Sequence, residues 1–271
     1  MLSECNAVLR ERFPGTHRLL KRASQRWREG GAGVPPTLNW YRGRALFTHP
    51  RFLTWDLEAL DRIVPKWIAL TATNASAFFD VGANFGWFTW YAAMCVGKRG
   101  SVVAFEPSIA NLEILKYHVK VNRLKNVAIV PKAVSDKTED AVPFYLLEGG
   151  VSASNSLTIK SDTCPRLHGL IQTLTSVGTT SIDDFVEAAR IIPSVIKIDV
   201  EGAELLVVNG SVNTLKRYRP TVIIAVHPFW LPDGQTTEMI DEAFASLGYT
   251  VTDGAGMRVT RVGEGDYLCR P

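Results

Sequence analysis

The sequence predicts an α/β fold: a doubly wound, mostly parallel sheet with helices on both faces and an antiparallel C-terminal edge. From residue 77 onward, apolar runs of strand length alternate with stretches of helical length, which is typical of parallel sheets. The strand-like runs lie at 77–81, 101–105, 127–130, 194–199 and 221–226, and the helical stretches at 84–96, 108–122, 202–217 and 236–247. The last strand-like segments, at 249–252, 257–262 and 267–269, follow one another without intervening helices, which predicts the antiparallel edge.

The composition excludes several classes of protein. The 271-residue chain is 46% hydrophobic and 21% charged, which is an ordinary globular composition and not that of a disordered, collagen-like or disulfide-dependent chain. Its net charge is +3, and residues 1–30 carry seven Lys and Arg against three Asp and Glu. Because the remainder is close to neutral, a surface that coats nucleic acid is not expected.

The sequence predicts a basic helical N-terminal extension and linker at 1–36, followed by a main domain at 37–271. Pro14-Gly15 interrupts the helical pattern of the extension, and the glycines and prolines at 30–36 are typical of a linker. The extension is a candidate contact between subunits of a homo-oligomer. Within the main domain a hairpin is expected at 38–48, and the Ser/Thr-rich insertion at 148–178 is either a substrate-facing lid or a solvated loop.

Cysteine usage and hydropathy predict a cytoplasmic protein without a membrane span. The four cysteines include no C-x-x-C pair, and the N-terminus has no apolar stretch of signal-peptide length. The apolar run 78–96 contains Asp80, Gly82, Asn84 and Gly86, so a strand, a glycine turn and a buried helix explain it better than a span.

The loop that follows the strand 77–81 is a candidate ligand-binding turn. In open parallel sheets, ligands bind at the carboxyl ends of the strands, where glycine lets the backbone approach them closely. A dinucleotide fingerprint that starts at Gly82 requires glycines at 84 and 87, where the chain has Asn84 and Trp87, so NAD is disfavoured. Asn84 tolerates the left-handed conformation. The alternative interpretation is a tight turn that only caps the next helix.

Polar residues also follow the next two strands. Glu106 ends the strand 101–105, 20 positions beyond Gly86, where a carboxylate accepts the hydroxyls of a ribose in nucleotide-binding folds. A carboxylate at this place also fits a helix-initiating charge. After the third strand, Ser135 or Asp136 is a candidate for bonding the amino group of an adenine, and a simple turn is the alternative.

Charged residues cluster around the last two parallel strands. Lys197, Asp199 and Glu201 alternate with apolar residues and therefore share one face, and such charges are costly to bury unless they pair or bind a ligand. His227 directly follows the strand 221–226 at the same edge of the sheet. A lone histidine is usually structural, but an ordinary pKa of about 6.5 makes His227 the first candidate base, with Asp199 the second.

Four segments, in this order, make the chain resemble the FkbM-type methyltransferases that depend on S-adenosylmethionine (SAM): DVGANFG at 80–86, FEP at 105–107, AVSD at 133–136 and KIDVEGAE at 197–204. The resemblance implies a seven-stranded class I methyltransferase (Rossmann-like) sheet, with SAM as cofactor and S-adenosylhomocysteine as product. The residues that match the cofactor-binding positions are Asp80, Gly82, Asn84, Gly86, Glu106, Ser135, Asp136 and Asp199.

The resemblance also implies O-methylation of a hydroxyl on a small-molecule acceptor, a natural product or a sugar, in secondary metabolism. Some relatives instead methylate an amide nitrogen. Asp199, Glu201 and Glu204 offer ligands to a divalent cation, but Lys197 nearby neutralises them, so metal dependence is not favoured. The other functions considered are a non-catalytic SAM-fold binding module, a nicotinamide or flavin oxidoreductase, and an RNA methyltransferase that uses the basic segment 1–30.

Overall fold

The computed structural model describes residues 35–52, 61–74, 76–147, 155–158 and 172–271. The chain divides into two units, Met1–Leu60 and Asp61–Pro271. The sequence predicts the boundary after residue 36, whereas this division groups residues 37–60 with those that precede them. The helical extension predicted at 1–36 lies, up to residue 34, outside the described residues.

The first unit contains a β-hairpin formed by β1 (Thr37–Tyr41) and β2 (Arg44–Thr48). The turn residues Arg42 and Gly43 have φ angles of 50° and 71°. Two-residue hairpin loops need this left-handed geometry because it matches the twist of the strands. The hairpin predicted at 38–48 is therefore present.

The second unit alternates strands and helices along most of its length. Its elements are α1 (Val64–Thr71), β3 (Ala77–Val81), α2 (Trp87–Val96), β4 (Ser101–Phe105), α3 (Ile109–Val121), β5 (Val127–Val130), β6 (Ala133–Val134), β7 (Val142–Leu147), β8 (Gln172–Val177), β9 (Thr179–Thr180), α4 (Ile182–Ala189), β10 (Val195–Ile198), α5 (Glu204–Asn209), α6 (Val212–Tyr218), β11 (Thr221–Val226), α7 (Thr237–Ser246), β12 (Thr250–Thr252), β13 (Arg258–Val259) and β14 (Gly265–Arg270). A 3₁₀ helix, Pro228–Trp230, follows β11.

Eight strands form the central sheet, in the order β13-β12-β14-β11-β10-β3-β4-β5. The strands from β11 to β5 are parallel, and β14, β12 and β13 add an antiparallel edge. The doubly wound, mostly parallel sheet and its antiparallel C-terminal edge are confirmed. The sheet has one strand more than the seven that the resemblance implies, because the two-residue strand β13 pairs with β12.

The core lies on both faces of this sheet. Side chains alternate along a strand, so Phe79 and Ile196 pack with the aliphatic side chains of α4 and α7 on one face. Phe78 and Val195, one residue away, pack with α1 and α2 on the other. Since both faces are covered, the central strands read as continuous apolar runs.

The helix predicted at 202–217 is two helices, α5 and α6, separated at Gly210 and Ser211. A Cβ on Gly210 would lie 2.1 Å from the carbonyl oxygen of Ser135, so the chain passes too close to its neighbour for a side chain. The carboxylate of Asp183 accepts hydrogen bonds from the backbone N–H groups of Asn213 and Thr214, which begins the second helix.

The insertion predicted at 148–178 ends in regular structure. Residues 172–177 form β8, which pairs antiparallel with β7, so the loop prediction is wrong for this part. Ser156 forms a bridge with Tyr145 of β7. Residues 148–154 and 159–171 lie outside the described residues.

The apolar run 78–96 consists of β3, a glycine loop and α2, as the sequence predicts. Of the helices that the described residues form, none is long and apolar enough to cross a membrane.

Candidate active site

The glycine loop after β3 contacts the ends of the two neighbouring strands, β4 and β10. The N–H groups of Gly82 and Ala83 donate to the carbonyl oxygen of Phe105 at 3.1 and 2.9 Å. Gly82 has a φ of +76°, and a Cβ at this position would lie 1.8 Å from the carbonyl oxygen of Asp199. The loop therefore needs glycine both for its conformation and for its contact with the end of β10.

Two further residues of this loop also have left-handed backbones. Asn84 has a φ of 51°, which agrees with its expected tolerance of this conformation, and its N–H donates to Oε2 of Glu106 at 2.8 Å. Gly86 has a φ of +88°, and a Cβ there would lie 2.5 Å from Cδ1 of Leu115 on α3. The hydrogen bond of Asn84 thus joins the loop after β3 to the residue that follows β4. The missing side chain at Gly86 allows α2 to approach α3 closely.

N–H groups of neighbouring residues hold the Glu106 carboxylate in place. Its Oε1 accepts a hydrogen bond from the N–H of Ser108 at 2.8 Å and a longer one from Nδ2 of Asn111 at 3.5 Å. Burial raises the pKa of Glu106 to about 7, although the N–H donors of Ser108 and Asn84 act in the opposite direction. The carboxylate is therefore fixed in orientation and titrates near neutral pH.

Lys197 on β10 joins two carboxylates at the edge of the sheet. Its Nζ lies 3.3 Å from Oδ1 of Asp80 and 3.3 Å from Oδ2 of Asp199, and 4.9 Å from the centre of the Phe88 ring. Oδ2 of Asp80 accepts a hydrogen bond from the Thr89 hydroxyl. Asp80 and Lys197 are almost completely buried, so each compensates the charge of the other.

The ion pairs keep these groups charged despite their burial. Burial acts to lower the pKa of Lys197, but the Asp199 and Asp80 carboxylates outweigh it and raise that pKa. Burial acts to raise the pKa of Asp199, but Lys197 and His227 outweigh it and lower that pKa. Asp199 is thus an anion at neutral pH.

His227 lies among three carboxylates. Its Nδ1 is 2.7 Å from Oε1 of the fully buried Glu204, which also accepts the N–H of Gly202 at 3.1 Å. The other ring nitrogen, Nε2, lies 3.8 Å from Oδ1 of Asp199 and 3.8 Å from Oε2 of Glu201. We call Asp199, Glu201 and His227 the rim cluster.

The carboxylates keep the imidazole protonated at neutral pH. Burial acts to lower the pKa of His227, but the bond with Glu204 and the charges of Glu201 and Asp199 outweigh it and raise the pKa to about 9. Burial raises the pKa of Glu201 to about 7, against the attraction of His227. The base role predicted for His227 therefore requires that this proton first be displaced.

Four residues predicted from the sequence, Gly82, Asn84, Glu106 and Asp199, line one cleft. The cleft encloses about 800 Å³ of space that is partly open to solvent. Much of its remaining wall is apolar and aromatic: Trp87, Phe88, Phe105, Phe144 and Leu157. Because the parallel strands end at the same edge of the sheet, residues far apart in sequence meet there.

Five other residues predicted for the cofactor or the base do not line this cleft: Asp80, Gly86, Ser135, Asp136 and His227. Asp80 contacts Lys197, which lines it. Ala133 and Val134 line the cleft, whereas Ser135 and Asp136, predicted to contact an adenine, do not. The backbone N–H of Ser135 bonds to the carbonyl of Thr180, and its hydroxyl donates to Oδ1 of Asp136 at 3.1 Å, so an adenine contact at this pair stays a prediction.

Gly86 and His227 also stand just outside the lining, in contact with residues that form it. Gly86 donates its N–H to the carbonyl oxygen of Ala83, and His227 contacts the two carboxylates of the rim cluster.

Several residues of the site are not predicted individually from the sequence. The predicted insertion contributes Asn155, Ser156 and Leu157 to the cleft, and the Ser156 hydroxyl donates to the carbonyl oxygen of Glu201 at 2.6 Å. No spacing rule identifies these residues. The contact of Lys197 with Asp80 follows from the register of β10 and β3, in which the two residues are partners.

Several solved structures are similar to this chain. Methyltransferase FkbM from Methylobacillus flagellatus is 17% identical, with 83% of this chain and 48% of that chain covered and a TM-score of 0.44. This chain therefore spans about half the length of that protein. A SAM-dependent O-methyltransferase from Thermotoga maritima is 12% identical, with 89% and 78% covered and a TM-score of 0.45. A SAM-dependent methyltransferase from Aquifex aeolicus is 15% identical, with 82% and 93% covered and a TM-score of 0.38.

No curated protein matches the chain significantly. The family model of the methyltransferase FkbM domain matches residues 80–251. This range begins at Asp80 in β3, includes the glycine loop and the rim cluster, and ends in β12. It covers more than half of the sequence, and the chain therefore belongs to the FkbM methyltransferase family.

Proposed function

We propose that this methyltransferase transfers the methyl group of SAM to a hydroxyl group of a small molecule, a natural product or a sugar, and releases S-adenosylhomocysteine. The observation that carries the proposal is the convergence of Gly82, Asn84, Glu106 and Asp199 on one cleft at the carboxyl edge of the sheet. Clefts at this edge are where open α/β sheets bind nucleotides.

The part of the cleft near Glu106 fits the adenosine of SAM. A carboxylate that is already fixed by Asn84 and Ser108 can accept the two ribose hydroxyls without losing side-chain freedom on binding. The glycine loop allows close approach of the backbone. Ala133 and Val134 present an apolar wall, which suits the face of an adenine better than the polar pair predicted beyond them.

The part of the cleft near Asp199 fits the methionine end and the acceptor. Lys197 and Asp199 form a charged wall that Asp80 supports from outside the lining. The methyl group of SAM is already activated by its sulfonium, so the protein must mainly align donor and acceptor, which supplies on the order of 7–11 kcal/mol. The acceptor proton leaves at this end, with His227 as first and Asp199 as second candidate base.

Binding of the cofactor can be tested by thermal denaturation with SAM and with S-adenosylhomocysteine. A ligand at a hundredfold excess over its Kd stabilises the folded state by about 2.7 kcal/mol, so we expect a clear rise in Tm. The variant Glu106→Gln should lose most of this rise, whereas Glu113→Gln, at an exposed position of α3, should keep it. The absence of any shift with either ligand at millimolar concentration would refute SAM binding.

The transferred group can be followed with SAM that carries a ¹³C-labelled methyl. After incubation with a panel of hydroxylated and amide-containing compounds, NMR distinguishes a methoxy carbon from an N-methyl carbon. We expect the label in a methoxy group. A label found only on nitrogen would contradict the hydroxyl assignment while leaving SAM-dependent transfer intact.

A further inference from the structure

We infer that the rim cluster, Asp199, Glu201 and His227, binds a divalent cation of the Mn²⁺ type at the acceptor end of the cleft. One ligand atom from each of the three residues can be chosen so that all lie within 4.8 Å of one another. The inference that this cation meets the methyl acceptor rests on the proposed function, whereas the cation site itself stands on the geometry of the cluster.

The distances in the cluster accept an ion if the side chains of Asp199 and Glu201 move closer together. Three donors that are evenly spaced about 2.1 Å from a shared ion lie about 3.6 Å apart. Nε2 of His227 is 3.8 Å from an oxygen of Asp199 and 3.8 Å from an oxygen of Glu201. The Asp199–Glu201 pair, within 4.8 Å, needs to close by up to about 1.2 Å to reach the same spacing.

Glu204 orients the imidazole as metal-bound histidines are usually oriented. Its Oε1 lies 2.7 Å from Nδ1 of His227. With Nδ1–H donating to this carboxylate, an ion that displaces the Nε2 proton meets a lone pair directed toward Asp199 and Glu201. Carboxylate–histidine pairs of this kind fix the ligand and increase its basicity. Glu204 is fully buried, and its Oε2 has no hydrogen-bond partner among the described residues.

The charges around the cluster are not balanced. Lys197 pairs with Asp80 and Asp199, so the negative charges of Glu201 and Glu204 have His227 as their partner in the described part of the chain. Buried or half-buried carboxylates that share one imidazole are stabilised by a further positive charge. Two carboxylates and one imidazole suit Mn²⁺, which accepts oxygen ligands together with nitrogen.

The backbone holds Glu201 in an unusual conformation. Glu201 has a φ of 51°, and the following Gly202 has a φ of +97° and would place a Cβ 2.0 Å from the carbonyl oxygen of Trp230. The Ser156 hydroxyl donates to the carbonyl oxygen of Glu201. A glutamate kept in the left-handed region by contacts on both sides is typical of functional positions, where strain places a side chain.

The ion would retain coordination positions that face the cleft. Asp199 and Glu201 line the cleft, and their side chains are 30% and 17% exposed. Adjacent oxygens of an acceptor, as in a vicinal diol, suit these positions. The acceptor oxygen then forms the bond to the methyl carbon as the sulfur–carbon bond breaks, the electron pair stays on sulfur, and the hydroxyl proton leaves to water. Because a metal-bound Nε2 cannot accept a proton, this inference replaces His227, the first candidate base of the proposed function, by water as the proton acceptor.

The site can be tested with Mn²⁺ itself. The full chain is treated with EDTA, transferred to chelator-free buffer and titrated with Mn²⁺, whose free concentration is read by electron paramagnetic resonance. We expect one ion per chain. Glu201→Gln and His227→Ala should each weaken binding by at least tenfold, and Glu204→Gln by about 10- to 100-fold through the orientation of His227. Glu187→Gln, at an exposed position of α4, should leave the affinity unchanged.

A second variant and a relaxation measurement test the site further. If His227→Ala does not fold, the nearly isosteric Glu201→Gln decides alone, and equal affinity in Glu201→Gln and the wild type overturns the site. Enhanced water-proton relaxation by the bound Mn²⁺ is expected from open coordination positions, and its absence would overturn the contact with the acceptor.

Measurement of SAM binding to the same EDTA-treated protein distinguishes failure of the cation site from failure of the proposed function. SAM binding without Mn²⁺ binding overturns only the cation site. Mn²⁺ binding without SAM binding overturns the proposed function and leaves the cation site standing.

Discussion

The substitution Gly82→Ala tests whether the glycine loop is built around the carbonyl of Asp199. The added Cβ would lie 1.8 Å from the carbonyl oxygen and 2.9 Å from the carbonyl carbon of Asp199. Both atoms belong to the backbone of the residue directly after β10, so no side-chain rotation relieves the overlap. The φ of +76° at Gly82 is a second, separate obstacle to alanine.

The two obstacles can be given magnitudes. A non-glycine residue in the left-handed region costs about 1–2 kcal/mol, and overpacking costs a further 1–3 kcal/mol or so. Gly256→Ala is a matched control, because Gly256 has a φ of +80° and an added Cβ there meets no atom of the described residues within 4 Å. The control should therefore lose only the about 1–2 kcal/mol of stability that the left-handed conformation costs.

The assay is thermal unfolding of the wild type and both variants, together with calorimetric titration of SAM. Gly82→Ala should lower the Tm more than Gly256→Ala by about 2–12 °C, at 2–4 °C per kcal/mol. It should also weaken SAM binding at least tenfold, since the cleft wall at Asp199 must move, whereas the control should keep its affinity. Equal losses of Tm with unchanged SAM affinity in both variants would refute this account of the loop.

Three further predictions concern ionisation, charge pairing and capping. Glu106 must be ionised to accept ribose hydroxyls, and its pKa is raised to about 7, so SAM affinity falls as pH drops through 7; calorimetry should show binding about tenfold weaker at pH 6 than at pH 8. Lys197→Met leaves the buried carboxylate of Asp80 without its cation and should lower the free energy of unfolding in urea by about 3–5 kcal/mol, whereas the exposed Lys216→Met should change it little. Ser181 accepts the N–H at the start of α4, so Ser181→Ala should cost about 1 kcal/mol in the same assay and Ser181→Asp should recover most of it.

Each of these predictions can fail in a distinct way. A pH dependence of SAM binding that persists unchanged in Glu106→Gln would belong to the ligand and not to this carboxylate. A Lys197→Met protein as stable as the wild type would mean that the Asp80 charge is compensated elsewhere. Equal urea midpoints for the alanine and aspartate variants of Ser181 would remove the capping argument.

The parallel strands could be predicted from the sequence because each is a short apolar run that ends at a polar or glycine residue. Strands β3, β4, β5 and β11 have the predicted limits. Strand β8 was missed because its sequence, QTLTSV, has only two apolar residues, three positions apart, and so lacks the alternation typical of a half-buried strand. It lies in a two-stranded sheet with β7 as its partner. The division of α5 from α6 depends on the approach of Gly210 to Ser135, which no local pattern records.

The candidate site was predictable where strand ends determine position. Gly82, Asn84, Glu106 and Asp199 meet because their strands are neighbours in a parallel sheet. Side-chain partners were less predictable: Glu204 contacts His227 across 23 residues of sequence.

The most direct test of the central claim, that this cleft holds SAM, is a crystal structure of the full chain with S-adenosylhomocysteine. The account predicts that both ribose hydroxyls lie within hydrogen-bond distance of the Glu106 carboxylate, with the ligand along the backbone of Gly82–Asn84. A ligand bound elsewhere, with Glu106 making only its present contacts to Asn84, Ser108 and Asn111, would contradict it.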